Sequence, residues 1–251
     1  MKTLELSKNA VHSGSLILVN SRHPYRESAC RPVLIPVDEI NPATYMEQQS
    51  ARLLYRLIEE AGVRDQIVAV SGWRSKNDQM QIYEDSLIAN GRAFTKKYVA
   101  LPDCSEHQTG LAIDLALNKP DIDFIRPEFP YSGICLKFRE KAPDYGFIER
   151  YPEGKEAITG IGWEPWHFRY VGYPHSAIIT QNKMTLEEYH LFVEEHLAEI
   201  NPFVYQANGR RIEIFFRNAE KEGPTTINVD DEALCSVSGN NTDGFIVTVW
   251  R

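Results

Sequence analysis

The stretch Ser105-Glu106-His107-Gln108-Thr109-Gly110-Leu111-Ala112-Ile113-Asp114-Leu115-Ala116-Leu117 decides how this chain is read. From Leu111 to Leu117 every residue except Asp114 is aliphatic or alanine, the pattern of a strand buried on both faces. An ionised carboxylate inside such a strand is costly unless a cation compensates it, which makes Asp114 a suspected metal ligand. His107 lies in the loop just before the strand, with Gly110 between them. A second local cluster, Glu164-Pro165-Trp166-His167, places an acid and an imidazole three residues apart. If the chain is irregular at Pro165 and extended after it, both side chains reach one pocket.

A hydrolytic zinc ion takes three protein ligands from histidine and carboxylate and leaves a fourth position open. It also works with a free carboxylate that accepts a proton from the attacking water. The two clusters together supply these groups. Taken singly, each residue has a plainer reading: a histidine beside a strand is ordinarily a hydrogen-bonded structural residue, and a buried aspartate can cap a turn or pair with arginine. The joint pattern, Ser-x-His-x-x-Gly-x-Ala-x-Asp followed by the second cluster, weakens those readings.

Composition narrows the function classes. The 251 residues are 43% hydrophobic and 25% charged, ordinary for a globular protein with a well-buried core. With 35 acidic against 27 basic residues the formal charge is −8, which argues against a nucleic-acid partner, since phosphate binding needs a cationic face. The N-terminal residues hold no apolar run that could form a signal-peptide core, and no segment approaches the roughly 18 to 20 apolar residues of a membrane span. Four separated cysteines, Cys30, Cys104, Cys135 and Cys235, read as free thiols. These features point to the cytoplasm and to no membrane insertion.

Along the chain, Asn41-Pro42 reads as the cap and first position of a helix with a buried stripe of Met46, Leu53, Leu54, Leu57, Ile58 and Ala61, ended by Gly62. A short strand at 67–70 delivers Ser71-Gly72-Trp73-Arg74-Ser75. A helix over 77–89 closes at Asn90-Gly91, and 92–106 reads as irregular. Residues 136–141 read as helical up to Pro143, with strands at 147–148 and 166–171. Thr185, with Glu188 at the capping-box position, opens a helix whose stripe is Leu186, Tyr189, Val193, Leu197 and Ile200, with His190 and His196 facing solvent. After Asn201-Pro202 the pattern turns strand-like, at 212–216, 225–229 and 245–250. The expected organisation is a principal domain over 1–201 and a small β-rich appendage over 202–251.

The spacing Ser105-x-His107-(x)6-Asp114 followed by Glu164-x-x-His167 resembles the signature of the D-Ala-D-Ala metallopeptidases of the VanY, VanX and VanXY kinds. The resemblance runs from about residue 40 to 175 and includes Ser71-Gly72-Trp73-Arg74-Ser75 and Ala142-Pro143-Asp144-Tyr145-Gly146-Phe147 in order. It implies an α+β fold, an antiparallel sheet with flanking helices carrying a single zinc site, as in the hedgehog-like peptidases. It implies that His107, Asp114 and His167 bind zinc, that Glu164 is the general base and that Arg74 stabilises the transition state. It also implies that Gln79 and Ser105 touch substrate. The implied activity is zinc-dependent D,D-carboxypeptidase, with D,D-dipeptidase activity, on D-Ala-D-Ala and on pentapeptide precursors of peptidoglycan, supporting glycopeptide (vancomycin) resistance.

Ser71 departs from the strict dipeptidases, in which the resemblance places an acid three residues before the arginine to meet a free ammonium. A neutral residue tolerates an acylated amino end and points to a VanXY-like bifunctional enzyme. Two other readings stand beside this one. One is an L-D endopeptidase or L,D-carboxypeptidase of peptidoglycan on the same scaffold. The other is a zinc-stabilised binding module, which would have no need of an unligated base such as Glu164.

Overall fold

The computed structural model describes residues 1–27, 31–37, 42–197, 200–207 and 209–251. The stretch that reads as a doubly buried strand is one: Ala112–Leu117 lies inside a four-stranded antiparallel sheet, between Ile67–Ser71 and Glu164–Tyr170, with Phe147–Tyr151 on the far side of the latter. Its two-residue alternation sorts the side chains. Ile113 and Leu115 join the main hydrophobic core, while Asp114 lies on the opposite face. On the neighbouring strand Trp166, Phe168 and Tyr170 enter the same core, and His167 and Arg169 take the other side. Because Asp114 pairs directly with His167, the two are cross-strand neighbours on one face.

The helix Gln48–Ala61 contributes Ala51, Leu54 and Leu57 to this core, and Gly133–Lys141 contributes Cys135 and Phe138. Gly62 ends the first helix in the left-handed conformation expected of it, with φ 66°. Its start differs from the sequence expectation. Pro42 lies in a turn, Asn41 falls outside the described residues, and Tyr45–Glu47 is a strand paired with Leu34–Pro36. The helix instead begins at Gln48, where the Glu47 carboxylate accepts from the Gln49 and Ser50 amides. Met46 is fully buried, but from that strand rather than from the helix.

Ser75 caps the next helix, Lys76–Tyr98, with Asp78 completing a capping box. Gly91 breaks it at φ 78° and ψ 168°, as the Asn-Gly pair predicts, but a second helical segment then runs to Tyr98 where irregular chain was expected. The strand at 164–170 also begins earlier than expected and runs through Pro165.

The chain divides by its contacts into two units: residues 19–25 with 32–185, and residues 1–18 with 26–31 and 186–251. In the second, the sheet order is Leu234–Gly239, Gly244–Trp250, Arg210–Asn218, Phe203–Ala207, and the N-terminal strand Lys2–Leu6 pairs with Thr225–Val229. The expected division at 201/202 does not coincide with this boundary, because the N-terminal strand and the helix Leu186–Glu194 group with the β-rich segment. On that helix Leu186, Tyr189 and Val193 are buried as expected, whereas Leu197 and Ile200 lie beyond its end and are exposed. His190 is not solvent-facing: it is buried, with Nε2 2.8 Å from the Leu16 carbonyl. His196 is half-buried. No helix of the described residues is long and apolar enough to cross a membrane.

Gly72 shows how tightly the larger unit closes on its site. A Cβ there would lie 2.2 Å from the Tyr45 carbonyl oxygen, which accepts the Trp73 amide at 2.6 Å. Gly72→Ala must part these two backbones, at a cost of about 1–3 kcal/mol by analogy with overpacked cores. Urea unfolding of the variant is expected to show a lowered midpoint, and an unshifted midpoint would contradict the close approach.

Candidate metal centre

Three segments deliver the polar groups to one cavity. Gly110, left-handed at φ 76°, ends the short 3₁₀ turn Glu106–Thr109 and turns the chain into the central strand. His107 is thereby brought over the face of the sheet that carries Asp114 and His167. All three are nearly inaccessible, and their ligand atoms lie within 4.8 Å of one another. His167 Nδ1 is 3.0 Å from Asp114 Oδ1, and His107 Nε2 is 3.2 Å from Asp114 Oδ2.

The hydrogen-bond pattern around His107 tests whether a cation fits. Its Nδ1 lies 2.7 Å from the Gly72 carbonyl, which can only accept, so Nδ1 carries the proton. Burial, with Arg74 beside it, lowers the His107 pKa to about 4, so the ring is neutral and Nε2 presents a lone pair to a carboxylate oxygen. Two acceptors face each other at 3.2 Å. A metal ion among the three side chains converts that repulsion into coordination, and two imidazoles plus a carboxylate are a donor set that suits zinc. The Gly72 carbonyl then fixes the His107 tautomer as an outer partner.

His167 has a larger support. Its Nε2 points toward Glu106 Oε2 at 3.7 Å, and neither atom has another hydrogen-bond partner. Burial opposes a charge on His167, but the Asp114 and Glu106 carboxylates outweigh it and raise the group to about 9 in the absence of metal. Glu106 itself is fully buried between Arg150 Nε and Arg169 Nη1, each 2.8 Å from Oε1. Burial alone would raise its carboxyl, but the two guanidiniums hold it well below the usual range. Sequence reasoning passed over this cluster. Its signal was an arginine inside each of two otherwise largely apolar strands, Phe147-Ile148-Glu149-Arg150-Tyr151 and Trp166-His167-Phe168-Arg169-Tyr170.

The remaining expected residues are placed as follows. Glu164 is buried, lines the cavity and lies 3.8 Å from His167 Nδ1. Arg74 lines the same cavity, with Nη2 3.5 Å from Asp114 Oδ2 and with Nε unbonded. Gln79 is buried on the first turn of its helix. Its Nε2 donates to the Ala100 carbonyl at 2.7 Å, and its Oε1 has no partner. Ser105 is buried in the cavity wall, as is Trp166. Ser71 is buried on the strand opposite Asp114 and is not among the lining residues described.

Replacing His107, Asp114 or His167 with alanine is expected to remove most of the bound zinc. Glu106→Gln, which keeps the shape but removes the charge facing Nε2, is expected to weaken zinc binding by about 10- to 100-fold, the usual cost of losing an outer partner. Competition with a chromophoric chelator measures both, and native affinity in Glu106→Gln would separate Glu106 from the metal centre.

The chain is similar to several known proteins. A family model described as VanY, D-alanyl-D-alanine carboxypeptidase, matches residues 43–173. A bifunctional D-Ala-D-Ala dipeptidase and D-Ala-D-Ala carboxypeptidase, VanXYC of Enterococcus gallinarum, is 45% identical over 74% of this chain and 98% of its own length. The structure of the vancomycin-resistance D,D-dipeptidase VanXYg, in complex with a D-Ala-D-Ala phosphinate analogue, matches at a TM-score of 0.96 with 50% identity, covering 100% of this chain and 99% of that one. A D,D-pentapeptidase VanY from a VanB-type resistance cassette, in complex with Zn(II), matches at 0.56 with 28% identity over 70% of this chain and 98% of that one. On the family model and on identity across nearly the whole of VanXYC, this chain belongs to the VanY family of D-alanyl-D-alanine carboxypeptidases.

Proposed function

We propose that this protein is a zinc-dependent D,D-carboxypeptidase that also hydrolyses the free D-Ala-D-Ala dipeptide, hydrolysing the D-Ala-D-Ala ends of peptidoglycan precursors and so supporting glycopeptide resistance. The observation that carries the reading is Glu164, a buried carboxylate that faces the same cavity as Arg74 and lies beside the three-residue ligand group without belonging to it. A zinc-stabilised binding module would have no use for such a group. VanXYC, by its name, and VanXYg, by its bound phosphinate, act on the same kind of substrate.

Zinc, held by His107, Asp114 and His167, supplies Lewis acidity toward the scissile amide. The chain's own residues do the rest. Burial pushes the Glu164 carboxyl up to about 8, with His167 pulling against it. A cation at the metal centre would oppose that shift and favour the carboxylate, which takes a proton as water adds to the amide carbon, then returns it to the leaving D-Ala amine as the C–N bond breaks. Arg74 keeps its positive charge despite burial, because Asp114 and Glu164 oppose the desolvation that lowers its pKa. Its guanidinium meets the negative charge that develops on the carbonyl oxygen. Gln79 Oε1 offers an acceptor to a substrate N–H, and the Ser105 hydroxyl a donor to the terminal carboxylate.

All of these residues lie in the unit made of residues 19–25 and 32–185. The reading assigns no step to residues 202–251, the β-rich appendage. It places the reaction in the cytoplasm, and the free thiols of Cys104, Cys135 and Cys235 support a reducing compartment.

The test separates binding from chemistry. Glu164→Gln is expected to keep one zinc per chain yet lose about 10²- to 10⁴-fold in kcat for D-Ala release, the usual span for a general base. Arg74→Ala is expected to lower kcat by about 10²- to 10³-fold with a smaller change in KM, since its charge matters most as the oxyanion forms. A near-native kcat in either variant, measured on D-Ala-D-Ala and on a pentapeptide at full zinc occupancy, would remove that residue from the chemistry.

A further inference from the structure

A second cavity, of about 420 Å³, adjoins the metal centre within the same unit. The two share Val99, Ala100, Tyr151 and Ile161 in their walls and so lie side by side. Ala100 stands at the junction, its carbonyl held by Gln79 Nε2. The second cavity is lined by Arg92 and Lys96, with Tyr83 nearby, and by no carboxylate among the described residues. Arg92 and Lys96 are four residues apart on the helical segment that follows the Gly91 break, which puts them on one face. Neither has an acidic partner among the described residues, although the chain carries a net charge of −8. An acid-free cavity bearing two unpaired cations attracts an anion.

We propose that this cavity is the subsite for the amino-terminal part of long substrates, and that Arg92 and Lys96 there pair an anionic group, carboxylate or phosphate, borne by that part. The inference rests on the D,D-peptidase reading of the metal centre. A substrate whose scissile bond lies at the metal centre carries its acyl portion past Ala100 and Tyr151 into the cationic cavity. The free dipeptide has no acyl portion and leaves it unfilled. One metal centre thus serves both substrates, and the selectivity for the long one is set at a distance from the reacting atoms.

The experiment uses the full-length zinc-loaded protein and three synthetic peptides, Ala-Ala-D-Ala-D-Ala carrying Nα-acetyl, Nα-succinyl or Nα-phosphonoacetyl caps. The native protein is expected to favour the succinyl over the acetyl peptide in kcat/KM by about tenfold to a hundredfold at low salt, the worth of a charge-assisted hydrogen bond, mainly through KM. In Arg92→Gln/Lys96→Gln the ratio should fall toward one, and in Arg92→Glu/Lys96→Glu below one. A larger preference for the phosphono cap than for the succinyl cap assigns the anion as phosphate, and the reverse order as carboxylate. Nα-succinyl-Ala-Ala-amide, which has no D-Ala-D-Ala end, should bind the native protein in a calorimetric titration and be lost in the double glutamine variant or at high salt. An unchanged ratio across the three proteins, or equal binding of this truncated peptide to native and variant, overturns the subsite. Should the native protein release D-Ala from no peptide, the D,D-peptidase reading falls, and the truncated-peptide titration still decides the cationic cavity.

Discussion

A carboxylate buried in the middle of an apolar sheet is the constraint on which this structure turns. Asp114 is 6% exposed, on a strand flanked on both sides by other strands, and its charge is met by the His167 imidazole and the Arg74 guanidinium. An isolated charge in that position would cost several kcal/mol. The surrounding architecture answers that cost: the cross-strand partner is His167, and the chain leaving the neighbouring strand at Ser71 brings in Arg74. With His107, returned over the strand by the preceding loop, Asp114 and His167 form a metal-binding set once a cation lies among them.

Around that centre the polar groups are arranged in two tiers. The inner one is the ligand group with Glu164 and Arg74. The outer one orients it: the Gly72 carbonyl fixes the protonated nitrogen of His107, and Glu106, clamped by Arg150 and Arg169, faces the far nitrogen of His167. Both outer groups arise from close backbone or strand packing. Gly72 must lack a side chain to reach its place against Tyr45, and the two arginines come from adjacent strands whose other faces build the core. Core packing and ligand orientation are therefore two faces of one sheet, which ties the stability of the larger unit to the geometry of its site.

The helix Lys76–Tyr98 links the metal centre to its surroundings. Its first turn puts Gln79 into the site, and its last turns, redirected at Gly91, put Arg92 and Lys96 over the neighbouring cavity. One element thus holds an uncharged acceptor near the metal and a cationic face farther out. This arrangement matches a substrate with a small invariant end and a larger variable one.

What could be read from the sequence was what local patterning encodes. An acid in an apolar run marked Asp114, the Gly110 turn and the spacing to His107 marked its partner, and the Glu-x-x-His cluster marked the other half of the site. Short-range rules also placed the end of the first helix at Gly62 and the break at Gly91, because glycine adopts a positive φ without the steric cost of a side chain. Tertiary structure decided the rest. The strand Tyr45–Glu47 displaced a helix start that Pro42 favours locally, because pairing with Leu34–Pro36 contributes more than a proline at a helix terminus. His190 looked solvent-facing on its helix but is buried on the Leu16 carbonyl, a partner 174 residues away that no local rule names. The Glu106–Arg150–Arg169 cluster and the cationic cavity are likewise made of residues distant in sequence. Local patterns record what each segment prefers. Which segments meet is set by long-range packing, and the outer partners of a site exist only where that packing brings them together.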